Sequence, residues 1–195
     1  MVSNVLKISR DETCLSGVLD EIEKVAEYNG LEEKQALRLR LLSEELVNML
    51  PELVDDFAGS FWVENKGRDY ELHALVKAEV MNQAIKDEII AVSKSGKNAA
   101  AVGILGMIRS AVEDWFNYAN CAGAPIPIGF GTGVYGNYDY AWSMDLYMQQ
   151  IEVRERKMKW DGLEKSIIAS FSDDVIVGVK GRQIEVIVKK SVDAK

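Results

Sequence analysis

Histidine is nearly absent from this sequence, with His73 the one example in 195 residues. Cysteine is almost as scarce: Cys14 and Cys121 lie far apart, with no second thiol or imidazole nearby. A Cys/His zinc cluster or a histidine-based triad needs several such residues together, so both are excluded. Two lone thiols fit a reducing compartment rather than a disulfide framework. The three prolines mark no linker, and a single domain over residues 1–195 is expected, close to the ~150 residues of an average domain. No apolar run reaches the ~20 residues that span a bilayer. Met1-Val2-Ser3-Asn4 has neither the basic start nor the apolar run of a signal peptide. The expectation is a cytoplasmic protein without a membrane partner. Positive charge is also short: 23 Lys and Arg against 31 Asp and Glu leave a net charge of −8. Proteins that bind duplexes neutralise phosphates with Lys and Arg, which argues against a nucleic-acid partner.

What is present is globular material, 48% apolar and 28% charged. Asn4 to Ser9 suits an edge strand. From Asp11 to Tyr28 the residues Leu15, Val18, Leu19, Ile22 and Val25 recur at helical spacing, and Asn29-Gly30 ends that helix. A second helix is expected from Leu31 to Leu50, with Pro51 marking its end or a kink. Ser60–Glu64 and Tyr70–Lys77 read as a hairpin turning through residues 65–69. Within it His73 shares a face with Glu71 and reads as a solvated strand histidine. Helices are expected over 79–92 and 98–118, a long loop over 119–139, and further helices over 141–159 and 163–171. A second hairpin, 175–179 with 184–188, closes the chain. Trp142, Met144, Tyr147 and Met148, with Trp115 and Phe116, read as core beneath the loop or as a docking surface. Helices segregated from hairpins predict an α+β two-layer sandwich, one mixed sheet with helices on one face.

Two patterns carry chemistry. Glu44 and Asn48 stand four apart, on one helical face one turn apart. An inward carboxylate beside an inward amide positions a water and a divalent cation, with Glu as base and Asn as oxygen ligand; a solvated face has the same spacing. The second pattern is Gly129-Phe130-Gly131-Thr132-Gly133-Val134-Tyr135-Gly136. Its backbone amides suit an anion nest, a mobile loop or a partner-binding loop. No strand signal precedes it, so a dinucleotide-binding reading is poor.

An opening strand, two helices with Glu-x-x-x-Asn on the second, and a hairpin resemble the GHKL ATPase superfamily, which includes gyrase and histidine kinases. The closer likeness is to its anti-sigma-factor, serine-kinase-like branch. Gly162-Leu163-Glu164-Lys165-Ser166-Ile167-Ile168 with the acidic turn Ser172-Asp173-Asp174 is similar to that branch's last helix and its exit. The resemblance covers about residues 2–78 and 161–190, with the stretch 79–160 as an inserted helical and glycine-rich lid region. It implies Glu44 as water-activating base, Asn48 as magnesium ligand, and phosphates held by Gly162, with Gly129, Gly131 and Gly133 as lid candidates. It implies ATP and Mg as cofactors, and as partner a sigma factor or an anti-sigma antagonist, with a second copy of the chain a further candidate.

The family's Asp-x-Gly-x-Gly turn, which accepts from the adenine amino group, should follow the first hairpin. Val76 to Gln83 contains neither aspartate nor glycine. Glu164 stands where a second phosphate-turn glycine is expected. The expectation is an anti-sigma-like regulator of bacterial signalling that acts by protein–protein binding with a degenerate ATP site. Alternatives are an active ATP–Mg serine kinase of the same fold, and a small-molecule sensor built on the Gly/Tyr loop.

Overall fold

The computed structural model describes residues 1–9, 12–53, 58–77, 104–120, 129–131, 138, 140–151 and 166–192. Strand β1 (Leu6–Ser9) leads into helices α1 (Glu12–Tyr28) and α2 (Glu33–Leu53), then strands β2 (Ala58–Lys66) and β3 (Asp69–Lys77). Helix α3 (Ile104–Asn120), strands β4 (Phe130–Gly131) and β5 (Tyr140–Ser143) and helix α4 (Met144–Gln150) follow. The described chain closes with α5 (Ile167–Phe171), β6 (Asp174–Lys180) and β7 (Gln183–Ser191).

The strands form one seven-stranded sheet in the order β1-β2-β3-β7-β6-β5-β4. Every pairing in it is antiparallel, which corrects the expected mixed sheet. The reason lies in the two hairpins: each is antiparallel internally, and β7 returns along β3 with Leu72 opposite Val188. Gly67 and Gly181 sit in the two-residue turns with φ of 72° and 57°, the left-handed region that tight hairpins require. The first turn is thus tighter than the five residues expected.

One face of the sheet carries Phe61, Val63, Leu72, Ala74, Val175, Val177, Val186 and Val188, all 1% exposed or less. They form one core with Val18, Ile22 and Val25 of α1, Leu39, Leu42, Leu46 and Leu50 of α2, Ile108 of α3 and Ile168 of α5. The result is an α+β architecture whose helical layer covers one side of the sheet. Helix α1 ends as expected: the Leu31 amide donates to the Ala26 carbonyl and the Gly30 amide to that of Glu27, a Schellman closure. Pro51 does not end α2; it lies inside the last turn, and the helix runs on to Leu53.

The stretch read as an insertion contributes strands as well as helix. Residues 141–143, expected at the helical start of 141–159, belong instead with Tyr140 to β5, which pairs with Ile176 to Val179 of β6. Ser143 is where strand becomes helix: its extended backbone ends β5, and its hydroxyl caps α4 by accepting from the Leu146 amide. Part of the expected loop also joins the sheet, with Phe130 opposite Trp142 and Gly131 opposite Ala141. Of the aromatic–methionine group, Trp142 and Met144 are core at 2% and 5% exposure, and Trp115, Tyr147 and Met148 pack against it, with Trp115 4.0 Å from Tyr140; the Phe116 side chain lies outside what is described. The expected helix over 79–92, the first turns of that over 98–118, residues 152–159 and residues 163–165 lie outside the described residues. No helix among the described residues is long and apolar enough to cross a membrane.

Candidate functional site

The face of the sheet turned away from the main core holds a polar cluster that spans three strands. Strand alternation puts Trp62 and Glu64 of β2, Glu71 and His73 of β3, and Glu185 and Lys189 of β7 on this side. Register then places Trp62 opposite His73 and Glu64 opposite Glu71. The indole of Trp62 stacks on the His73 ring, with centroids 4.7 Å apart and planes 9° off parallel. Trp62 Nε1 also donates to Glu64 Oε1 at 3.2 Å.

His73 is 6% exposed, so it is not the solvated strand histidine that the sequence pattern predicts. A tally of faces along one strand misses what the neighbouring strands supply. His73 Nδ1 lies 2.7 Å from Glu185 Oε1, and Tyr138 donates its hydroxyl to Glu185 Oε2, also at 2.7 Å. On the other side of the ring, Nε2 is 3.9 Å from Glu71 Oε2, while Lys189 Nζ is 3.1 Å from Glu71 Oε1.

Gly178 explains how Tyr138 reaches this cluster. A Cβ at position 178 would fall 2.5 Å from the Tyr138 ring, so only glycine lets that ring lie on the sheet beside Glu185. Burial pushes the Tyr138 hydroxyl well above its ordinary pKa, and the Glu185 carboxylate adds to the effect. For Glu185 burial also works upward, but hydrogen bonds from His73 and Tyr138, with the histidine's charge, hold the carboxyl below the usual range.

The residues expected from sequence are placed differently. Glu44 is half-buried on α2, and Asn48 is exposed one turn further on. Their neighbour Glu45 makes the described contact: Ser166, the N-cap of α5, donates its hydroxyl to Glu45 Oε1 at 2.9 Å while accepting from the Ala169 amide. Glu45 Oε2 is buried with no hydrogen-bond partner among the described residues.

Gly129 and Gly131 lie at the β4 edge of the sheet, whereas α2 packs over β3 and β7 in its middle. The Gly129 amide donates to Gln150 Oε1 at 2.7 Å, and its carbonyl accepts from the Ser143 amide. Gly129 has a φ of 86°, and a Cβ there would meet the Trp142 indole at 2.4 Å. Gly133 and Gly162 lie outside the described residues, as does Glu164.

No family model, curated protein or solved structure matches this chain. Two arrangements are available: the Glu45–Ser166 contact between α2 and the last helix, and the Trp62/Glu64/Glu71/His73/Glu185/Tyr138 cluster on the opposite side of the sheet.

The second arrangement went unread because its members are spread along the chain. His73 and Glu185 are 112 residues apart. The available signal was an outward face bearing Trp62, Glu64, Glu71 and His73 on two strands of one hairpin, where the turn fixes which residues are neighbours.

Proposed function

We propose that this chain is an anti-sigma-factor-like regulator of bacterial signalling, built on a GHKL-type sandwich and acting by protein–protein binding with a degenerate nucleotide site. The element order supports the reading: strand, two helices, hairpin, then a last helix and a closing hairpin whose β7 docks beside β3. Helices α1, α2 and α5 share one side of that sheet, as the resemblance implies.

The observation that carries the protein-only form is the contact between Glu45 and Ser166. In the family the entry to the last helix is where backbone amides meet phosphate. Here the five-residue α5 has its cap hydroxyl engaged by a carboxylate from α2. A negative charge at that place opposes a phosphate rather than attracting it. The adenine side is equally poor, since Val76 to Gln83 offers no aspartate. A buried adenine amino group without an acceptor costs about 1–3 kcal/mol. Glu44 and Asn48 alone would leave magnesium with one carboxylate and one amide. Tyr28 and Leu37, 79% and 53% exposed on α1 and α2, are large apolar side chains that the helical layer offers to a partner.

Calorimetric titration with ATP and Mg²⁺ tests the nucleotide half, with an expected dissociation constant weaker than ~1 mM, under ~4 kcal/mol of binding. A micromolar constant abolished by Asn48→Ala overturns the reading in favour of the serine kinase. A binding panel of purified sigma factors and anti-sigma antagonists tests the other half. Saturable association indifferent to nucleotide is expected; no association with any member of the panel removes the proposal.

A further inference from the structure

We propose that Glu64, Glu71 and His73 form a binding site for a divalent first-row transition-metal ion of the zinc type, on the side of the sheet opposite the main core. The site is independent of the nucleotide reading, because it uses no residue of α2 or α5. One ligand atom from each of the three side chains lies within 4.8 Å of the others. In a tetrahedral zinc shell, ligand atoms about 2.0–2.2 Å from the ion stand roughly 3.3 Å apart.

Three close acidic and imidazole groups are common on protein surfaces, so proximity alone decides nothing. The deciding observation is His73 Nε2, which is buried and has no hydrogen-bond partner among the described residues. A buried polar nitrogen left unpaired is costly, and this one lies 3.9 Å from Glu71 Oε2 on a side chain grouped with both carboxylates. Glu185 explains the lone pair. A carboxylate only accepts, so Nδ1 carries a proton toward Glu185 Oε1 at 2.7 Å, which leaves Nε2 as the ring nitrogen that can offer its lone pair to a metal. Carboxylate–histidine–metal relays have this arrangement, with the carboxylate fixing the tautomer and orienting the ring.

Each of the other ligands is also held from behind. Trp62 Nε1 holds Glu64 Oε1 and stacks on the imidazole, while Lys189 takes Glu71 Oε1 and leaves Oε2 free to turn toward the ion. Tyr138 secures Glu185 in turn. Three carboxylates face one lysine here, a charge imbalance that a dication corrects. A cavity of about 280 Å³ is bordered by Glu64, Glu71 and Lys189. One imidazole with two carboxylates favours zinc-type ions over magnesium, and three protein ligands leave a fourth position for water or a partner's side chain.

The test uses the full chain labelled with ¹⁵N, in which the one histidine gives a single assignable imidazole. Zinc should shift the Nε2 resonance and saturate at one ion per chain, with Nδ1 still protonated. Glu64→Gln and Glu71→Gln should each weaken binding at least ~10-fold, and Glu185→Gln, a positioning residue, about 10–100-fold. Amide spectra showing both hairpins intact establish that these variants are folded. Glu33→Gln, an equal charge change on α2, should bind as the parent does, and magnesium at equal concentration should leave Nε2 unmoved. The proposal fails if ~1 mM zinc leaves Nε2 unchanged. It also fails if the shift is indifferent to both glutamate variants, or if Nε2 keeps a proton in the presence of zinc.

Discussion

Replacing Ser166 with alanine removes one oxygen and two interactions. The hydroxyl accepts from the Ala169 amide as the cap of α5 and donates to Glu45 Oε1. Loss of a serine cap costs about 0.5–2 kcal/mol. The second loss is larger in kind, because Glu45 Oε2 already lacks a partner among the described residues and Oε1 would join it. Stranding a partly buried acceptor costs about 1–3 kcal/mol. Together the expected destabilisation is roughly 2–4 kcal/mol, and at about 2–4 °C per kcal/mol for a chain of this size the melting temperature should fall by roughly 5–15 °C. A double-mutant cycle with Glu45→Ala, read by urea unfolding, separates the parts. In the Glu45→Ala background, Ser166→Ala should cost only the cap, about 1 kcal/mol. If Ser166→Ala costs the same in both backgrounds, Glu45 is not coupled to the entry of α5 and does not stand where a phosphate would.

Two further outcomes follow from single sites. Gly129→Ala forces a side chain into φ 86° and against the Trp142 indole, and should cost at least ~2 kcal/mol in thermal unfolding; a neutral effect would mean that the β4 edge is not packed as described. Asp174, which accepts from the Ser143 hydroxyl and the Asp145 and Val175 amides, has its carboxyl raised above the usual range by burial. A raised folded-state value means that its stabilising contribution is complete below the ordinary carboxylate pKa and lost as pH rises through the raised one. Asp174→Asn should therefore gain stability relative to the parent between about pH 3.5 and pH 7, and urea midpoints showing the opposite trend would refute that sign.

Both hairpins were legible because their signals are local: alternating apolar residues on either side of Gly67 and Gly181. Helix α1 was legible from its spacing and from Asn29-Gly30. Strand β5 was not, since Tyr140 to Ser143 shows no clear alternation and becomes a strand by pairing with β6. At two residues, β4 is shorter than any sequence pattern. Spacing pointed to Glu44 and Asn48, yet the described contact belongs to Glu45, because helical phase alone does not say where a separate helix will dock. The same limit hid His73, whose burial is decided by Glu185 on a strand from the far end of the chain and by the ring that Gly178 admits.

The pairing of β3 with β7 has a consequence for how the molecule is made. These strands form the middle of the sheet, yet their side-chain contacts join residues 112 positions apart. Local hairpins close in microseconds, whereas pairing over such a span waits for a long loop to be fixed and is correspondingly slow. During synthesis β3 therefore emerges, folds back on β2, and presents Leu72, Ala74 and Val76 with one row of backbone hydrogen-bonding groups open until β7 has left the ribosome. A strand that ends up fully enclosed spends the interval as an edge. The interval during which this chain is most open to mispairing is thus set by the distance between its two hairpins, the stretch that carries α3, β4, β5, α4 and α5.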